Sequence, residues 1–149
     1  MREVSKDAVY PLPLFVRLMV NDLMASSTWY EKLGFEVSFT MKGMGDQPVA
    51  MFIRWMKYAD IMLVQSPKTI AKQPEDTGIA IYLNALNEVE DVARRAPKGS
   101  IIEGPTVRPW NAKELILRDP DGYQLIFSEP ADKNKTFDEV MENVKNNVA

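Results

Sequence analysis

The chain contains the same unit twice. Phe15-Val-Arg-Leu-Met-Val-Asn-Asp-Leu23 aligns with Gly78-Ile-Ala-Ile-Tyr-Leu-Asn-Ala-Leu86 at an offset of 63, which sets Leu18 over Ile81, Val20 over Leu83, Asn21 over Asn84 and Leu23 over Leu86. Ile61-Met62-Leu63 aligns with Leu125-Ile126-Phe127 at an offset of 64. A repeat this long means one supersecondary unit used twice, with each copy covering apolar surface of the other. The fold is therefore bounded by what half the chain can build.

In the first copy, residues 14–20 alternate Val16, Leu18 and Val20 with Phe15, Arg17 and Met19, the period of a strand with one apolar face. Asn21-Asp22 supplies an N-cap oxygen for a helix over 23–33, and Gly34 permits the left-handed turn that ends it. A strand over 35–40, a loop over 43–48 and a hairpin of 49–56 and 59–65 about Lys57-Tyr58 complete βαβββ. Residues 66–77 lack a sustained apolar period and read as a surface connection. The second copy has a strand at 79–83. Val89, Val92, Ala93 and Ala96 then mark a helix stopped by Pro97. A short strand at Ile101-Ile102 follows, and strands at 114–118 and 124–128 flank the turn Asp119-Pro-Asp-Gly-Tyr123. Thr136-x-x-Glu139 is a capping box opening a terminal helix with the stripe Phe137, Val140, Met141 and Val144. The class is α+β: module one over about 12–66, module two over about 77–130 and a C-terminal helix over about 136–147.

Composition then removes most chemistries. With no histidine and no cysteine, the chain has no disulfide, no imidazole or thiolate metal ligand, and no Ser-His-Asp or Cys-His nucleophile. Any acid or base must be Glu, Asp, Lys or Tyr. A net charge of −3 without a basic stripe predicts no nucleic-acid partner. The absence of a membrane-length apolar run or a secretory h-region predicts a cytoplasmic protein with no membrane partner.

Val20-Asn-Asp-Leu23, Trp29-Tyr-Glu-Lys-Leu-Gly-Phe35, Glu103-Gly-Pro105, Pro109-Trp110 and Glu114-Leu-Ile-Leu-Arg-Asp-Pro-Asp-Gly-Tyr-Gln-Leu125 stand in an order and spacing that resemble the vicinal-oxygen-chelate superfamily, also called glyoxalase/bleomycin resistance/dioxygenase. The resemblance covers about residues 12–130. It implies paired modules whose sheets curl around a cleft. Metal-dependent members carry ligands on the first and last strands of each module, and those positions fall on Phe15, Met62, Gly78 and Ile126. None can chelate a hard divalent cation, so no metal and no cofactor are expected. Glu129 lies three residues beyond Ile126 and points to the other face. Asp119 and Asp121 read as a turn rather than a Ca²⁺ site.

Strand alternation puts an apolar floor with a few polar groups on the concave side, as suits a small-molecule pocket. The expected ligand-binding residues are Phe15, Arg17, Met62, Tyr82, Trp110, Glu114, Arg118 and Ile126, with no catalytic residue assigned. Trp110 either stacks on a planar ligand or anchors its loop; Trp29 and Tyr30 read as structural. Pro109-Trp110 resembles the metal-free, drug-sequestering branch. The reading is a homodimeric, metal-independent protein that binds an apolar or amphipathic, heteroaromatic small molecule and confers antibiotic resistance by sequestration. Two alternatives stand beside it: an enzyme of the same superfamily using Glu114, Tyr82 or another carboxylate, and a sensing or structural dimer whose cleft is filled by Phe15 and Met62.

Overall fold

A computed structural model describes residues 12–147. The element order is β1 (Val16–Val20), α1 (Leu23–Leu33), β2 (Glu36–Lys42), a single 3-10 turn (Met44–Asp46), β3 (Pro48–Met56), β4 (Ala59–Gln65), β5 (Ala80–Asn84), α2 (Val89–Arg95), β6 (Ile101–Arg108), β7 (Ala112–Arg118), β8 (Gln124–Pro130) and α3 (Phe137–Asn147). These strands make two four-stranded sheets, ordered β1-β4-β3-β2 and β5-β8-β7-β6. Each first strand runs parallel to the last of its module, and the other pairs are antiparallel. The two βαβββ modules are thus present, with the terminal helix following them.

Local chemistry sets the boundaries. The Asp22 carboxylate accepts from the Ala25 N–H and caps α1, and Gly34 closes the helix at φ 119°. In α2 the cap comes from elsewhere: the Glu88 side chain does not cap the helix, and the Glu129 carboxylate on β8 accepts from the Val89 N–H at 2.8 Å. Glu129 therefore does point away from the Ile126 face, and it holds a helix end.

Both sheets turn their helix-bearing faces into one shared core of Leu18, Val20, Trp55, Ile61 and Leu63 from the first module with Leu83, Leu115, Leu117, Leu125 and Phe127 from the second. Trp55 is fully buried, meets Phe127 at a ring separation of 5.0 Å and donates its indole N–H to the Asn84 carbonyl. Polar stitches cross the same boundary. Tyr30 O–H donates to Asp119 at 2.7 Å, Trp29 N–H to Ser100, Asn21 to Asp121 and Tyr123 O–H to the Met19 carbonyl. Trp29 and Tyr30 are structural, as their motif implies. Ile126 is only 6% exposed yet lies outside the shared core, because it belongs to the opposite face of its sheet. Each sheet consequently keeps one face directed outward.

Three details refine this picture. The short strand at Ile101-Ile102 is the start of an eight-residue strand whose ladder is interrupted around Glu103 and Thr106, where Gly104-Pro105 breaks the alternation that a sequence reading relies on. The terminal helix lies at the surface: none of its residues is fully buried and Phe137 is 74% exposed, while Val140 and Val144 of the stripe are partly buried and Asn143 donates to the Pro109 carbonyl. The repeat also slides in the sheet. Arg17 lies opposite Met62 in the first module, whereas Tyr82, not Ala80, lies opposite Ile126 in the second.

Candidate functional site

The outward face of the second sheet carries a convergent polar cluster. Glu114 on β7 faces it with Ile116 and Arg118, and Tyr82 on β5 and Ile126 on β8 lie on the same side by strand alternation. Glu114 is only 4% exposed, and three donors reach its carboxylate: Arg108 Nε at 3.2 Å, Trp110 Nε1 at 3.3 Å and Tyr82 O–H at 3.5 Å. A carboxylate this buried requires such partners. The last two converge on one oxygen, Oε2, so the Tyr82 and Trp110 rings are tethered at a common point while 60% and 44% exposed.

Backbone geometry explains the convergence. Gly104 at φ 99° lets β6 press on β7: an added Cβ would lie 2.3 Å from the Glu114 carbonyl oxygen. Beyond that irregularity Thr106 pairs with Glu114, and Arg108, two residues on, shares its face. Arg108 also pairs with Glu103, which holds the guanidinium in place. Trp110 sits in the β6–β7 turn, closed by Asn111 N–H on the Arg108 carbonyl and by the positive φ of 63° at Asn111. The turn is braced by mutual bonds between Asn111 and residues 131 and 132, and by the Asn143 amide of α3 donating to the Pro109 carbonyl.

Electrostatics follow from burial. Desolvation, then the adjacent Glu114 carboxylate, raises the Tyr82 phenol above its ordinary value, so it stays protonated at neutral pH. Hydrogen bonding to Glu103 is the main influence raising Arg108, against desolvation. Two carboxylates against one guanidinium leave the cluster electronegative.

The remaining expected residues stand elsewhere. Phe15, Arg17 and Met62 lie on the first sheet, where Met62 pairs with Arg17 on one side and Phe52 on the other, and Phe15 meets Phe52 edge-on at 5.3 Å. Arg118 donates to the Gln73 and Pro74 carbonyls and so tethers the connector. No hydrogen bond, ion pair or ring contact joins the first-sheet group to the Glu114 cluster among the described residues. On the first sheet Arg54 holds Asp60 through two bonds of 2.8 and 3.0 Å, both side chains nearly inaccessible. Sequence reasoning missed Arg54 and Arg108. The cross-strand pairing of Arg54 with Asp60 could have been read from the hairpin, but Arg108 needed the irregularity at Gly104-Pro105.

Metal chemistry finds no donors at the positions where the resemblance would put it. Phe15, Met62 and Ile126 have no ligating oxygen or nitrogen, and neither does Gly78 or Ala80, the residue that the observed register sets opposite Gln124. Among the described residues no three His, Cys, Asp or Glu side chains are grouped to hold a cation. Asp119 and Asp121 spend their oxygens on Tyr30, Tyr123, Asn21 and Ser26.

Comparison with solved structures finds the same architecture in proteins of low identity. The hypothetical protein SA1046 from S. aureus is 22% identical, with a TM-score of 0.60 over 77% of this chain and 94% of its own. TioX from Micromonospora sp. ML1 is 17% identical, with a TM-score of 0.61 over 78% and 97%. A bleomycin-binding protein complexed with bleomycin is 19% identical, with a TM-score of 0.56 over 78% and 96%. No curated protein sequence matches. At these identities the likeness shows the fold alone. The family model for the Glyoxalase/Bleomycin resistance protein/Dioxygenase superfamily, however, matches residues 13–127, which spans both modules and both open faces. With the doubled βαβββ unit in place and most of its length matched, the chain belongs to the glyoxalase/bleomycin resistance/dioxygenase superfamily.

Proposed function

We propose that the protein binds a planar, heteroaromatic small molecule without a metal, on the open face of the second module. The observation that carries this reading is the Glu114 carboxylate: one oxygen of it fixes both Tyr82 and Trp110 while leaving their rings exposed. Rings held at a common point and open to solvent offer flat contact area at little further cost in side-chain entropy. Ile116 and Ile126 supply the apolar floor. The electronegative surroundings favour a neutral or cationic ligand over an anionic one.

Phe15, Arg17 and Met62 belong to the other open face. Since both sheets spend their helix-bearing faces on one core, a cleft walled by the two open faces requires a second copy of the chain, and we place this protein as a homodimer with the first module of one subunit over the second module of the other. The similarity to a bleomycin-binding protein supports an antibiotic ligand and a sequestering role. Acid-base catalysis by the same residues is less well supported: Tyr82 is held protonated, and Glu114 is engaged by three donors.

The test is a fluorescence titration with bleomycin and with a broad set of planar heteroaromatic compounds. Trp29 and Trp55 are buried, so the response comes mainly from Trp110. Trp110→Ala is expected to weaken binding by roughly 30-fold, the loss of about 2 kcal/mol typical of a stacked anchor. An unchanged affinity in a variant with an unchanged unfolding midpoint would make Trp110 a turn anchor and overturn the assignment.

A further inference from the structure

The two sheets also meet along strands that do not pair with each other. β1 and β5 are terminal strands of their sheets, and a pocket of about 180 Å³ lies where they approach, walled by Val16 and Leu18 on one side and Ile79 and Ile81 on the other, with Tyr123 at its base. Gln73 of the connector lines it as well. Val16, Leu18 and Ile81 are on the helix-bearing sides of their strands, and Ile81 points opposite to Tyr82. This seam pocket is therefore a different place from the Tyr82–Trp110 face.

Its charged equipment has one sign. Arg17 lines the pocket from the free edge of β1, its side chain leaving the strand on the face opposite Val16 and Leu18; it is exposed and has no hydrogen bond or ion pair among the described residues. No acidic side chain is in the lining. A second guanidinium, Arg118, stands behind the connector wall, bonded to the Gln73 and Pro74 carbonyls. Main-chain groups face it too. The Met19 carbonyl points off the free edge of β1 to receive the Tyr123 hydroxyl at 2.8 Å, and alternate residues of a parallel strand point the same way, so the Arg17 N–H and carbonyl both leave that edge toward the seam.

We propose that the seam pocket binds a compact organic monocarboxylate, its carboxylate on the Arg17 guanidinium and its apolar body between Val16, Leu18, Ile79 and Ile81. Size sets the body: an apolar cavity of about 150 Å³ accepts benzene, so this space takes one six-membered ring or a short branched chain. Charge sets the head, because a guanidinium without a counter-ion at the mouth of an apolar pocket gains most from a carboxylate it can meet with two parallel bonds. Both modules and the connector between them contribute walls, so an occupant joins all three.

Benzoate tests this, with benzamide as its neutral counterpart, by methyl-resolved NMR titration of the full chain. Saturable shifts at Val16, Ile79 and Ile81 are expected with benzoate, and benzamide should bind at least tenfold more weakly. Arg17→Gln should weaken benzoate tenfold or more and leave benzamide unchanged, while Ile79→Trp, at a 76% exposed position on the pocket mouth, should block both. Trp110→Ala should leave benzoate unaffected, which separates this pocket from the face described above. Equal binding of benzoate and benzamide, an Arg17→Gln variant with unchanged benzoate affinity, absence of shifts at these methyls, or loss of benzoate binding in Trp110→Ala would each overturn the proposal.

Discussion

Replacing Tyr30 with phenylalanine removes one hydroxyl from a fully buried site and leaves the ring packing intact, which isolates a single bond between the modules. That hydroxyl donates to Asp119 at 2.7 Å, while the other carboxylate oxygen accepts from the Asp121 and Tyr123 amides. Burial raises Asp119 from 3.8 to about 6, and the Tyr30 bond is the largest influence opposing that rise. A carboxyl whose folded pKa exceeds its unfolded value holds its proton more tightly when folded. Its contribution to stability is therefore full below about pH 4 and is lost as the pH rises from about 4 to 6. Without the Tyr30 donor the folded pKa climbs further, so the loss continues above pH 6. At pH 5 Asp119 is mostly protonated and the missing bond is one between neutral groups, which costs about 1 kcal/mol. At pH 7.5 the carboxylate is charged and loses a charge-assisted donor, which costs about 2–3 kcal/mol. Urea unfolding at the two pH values and one fixed protein concentration measures the difference, and Asp119→Asn should flatten the decline between pH 4 and 6. A Tyr30→Phe penalty that is equal at both pH values, or larger at pH 5, would refute the linkage.

Gly104→Ala should destabilise by more than about 2 kcal/mol, since it combines a left-handed backbone with a Cβ 2.3 Å from the Glu114 carbonyl, and it should weaken aromatic ligands at the Tyr82–Trp110 face; unfolding midpoints and the fluorescence titration check both effects. Light scattering should give about twice the 16.9 kDa chain mass, and a monomeric mass at working concentration counts against the second-copy wall. Elemental analysis after chelator-free purification should find well under one Zn, Ni, Fe or Mn per chain; a stoichiometric metal would contradict the reading of Phe15, Met62 and Ile126.

Most of the architecture was legible because it is written in alternation and caps. Val16, Leu18 and Val20 against Arg17 and Met19, Asp22 and Gly34 about α1, and Pro97 after α2 are local signals, and the elements formed where those signals lie. Register was not legible. Sliding β5 by two residues against β8 leaves every side chain on its face, so apolar pattern cannot distinguish Ala80 from Tyr82 as the residue opposite Ile126. The site divides the same way. Tyr82, Glu114 and Ile126 could be assigned to one face from period alone. The role of Arg108 depends on a break in β6, and the bracing of Trp110 depends on contacts from residues 131, 132 and 143, distant in sequence. Glu103 belonged to a matched motif, but nothing local marked it as the partner that holds Arg108.

The hairpin turns that end β3 and β7 record how the two halves became unequal. Each holds one residue at positive φ, Tyr58 at 68° and Gly122 at 86°, 64 residues apart, although the first loop has two residues and the second five. At the same offset Trp55, in the last turn-ward part of β3, stands where the second module has Asp119, just past the end of β7. Each reaches into the opposite module, one as an indole against Phe127, the other as a carboxylate under Tyr30. An ancestor with identical halves would have placed two indoles or two carboxylates at these crossings. The two crossings differ as a plug and a socket do, so the halves are not interchangeable. A chimera made of module one twice would bury the Tyr30 hydroxyl with no acceptor, and one made of module two twice would bury Asp119 without the phenol it answers to. The repeated module gives this molecule its plan, and the difference between Trp55 and Asp119 makes its two copies complementary rather than interchangeable.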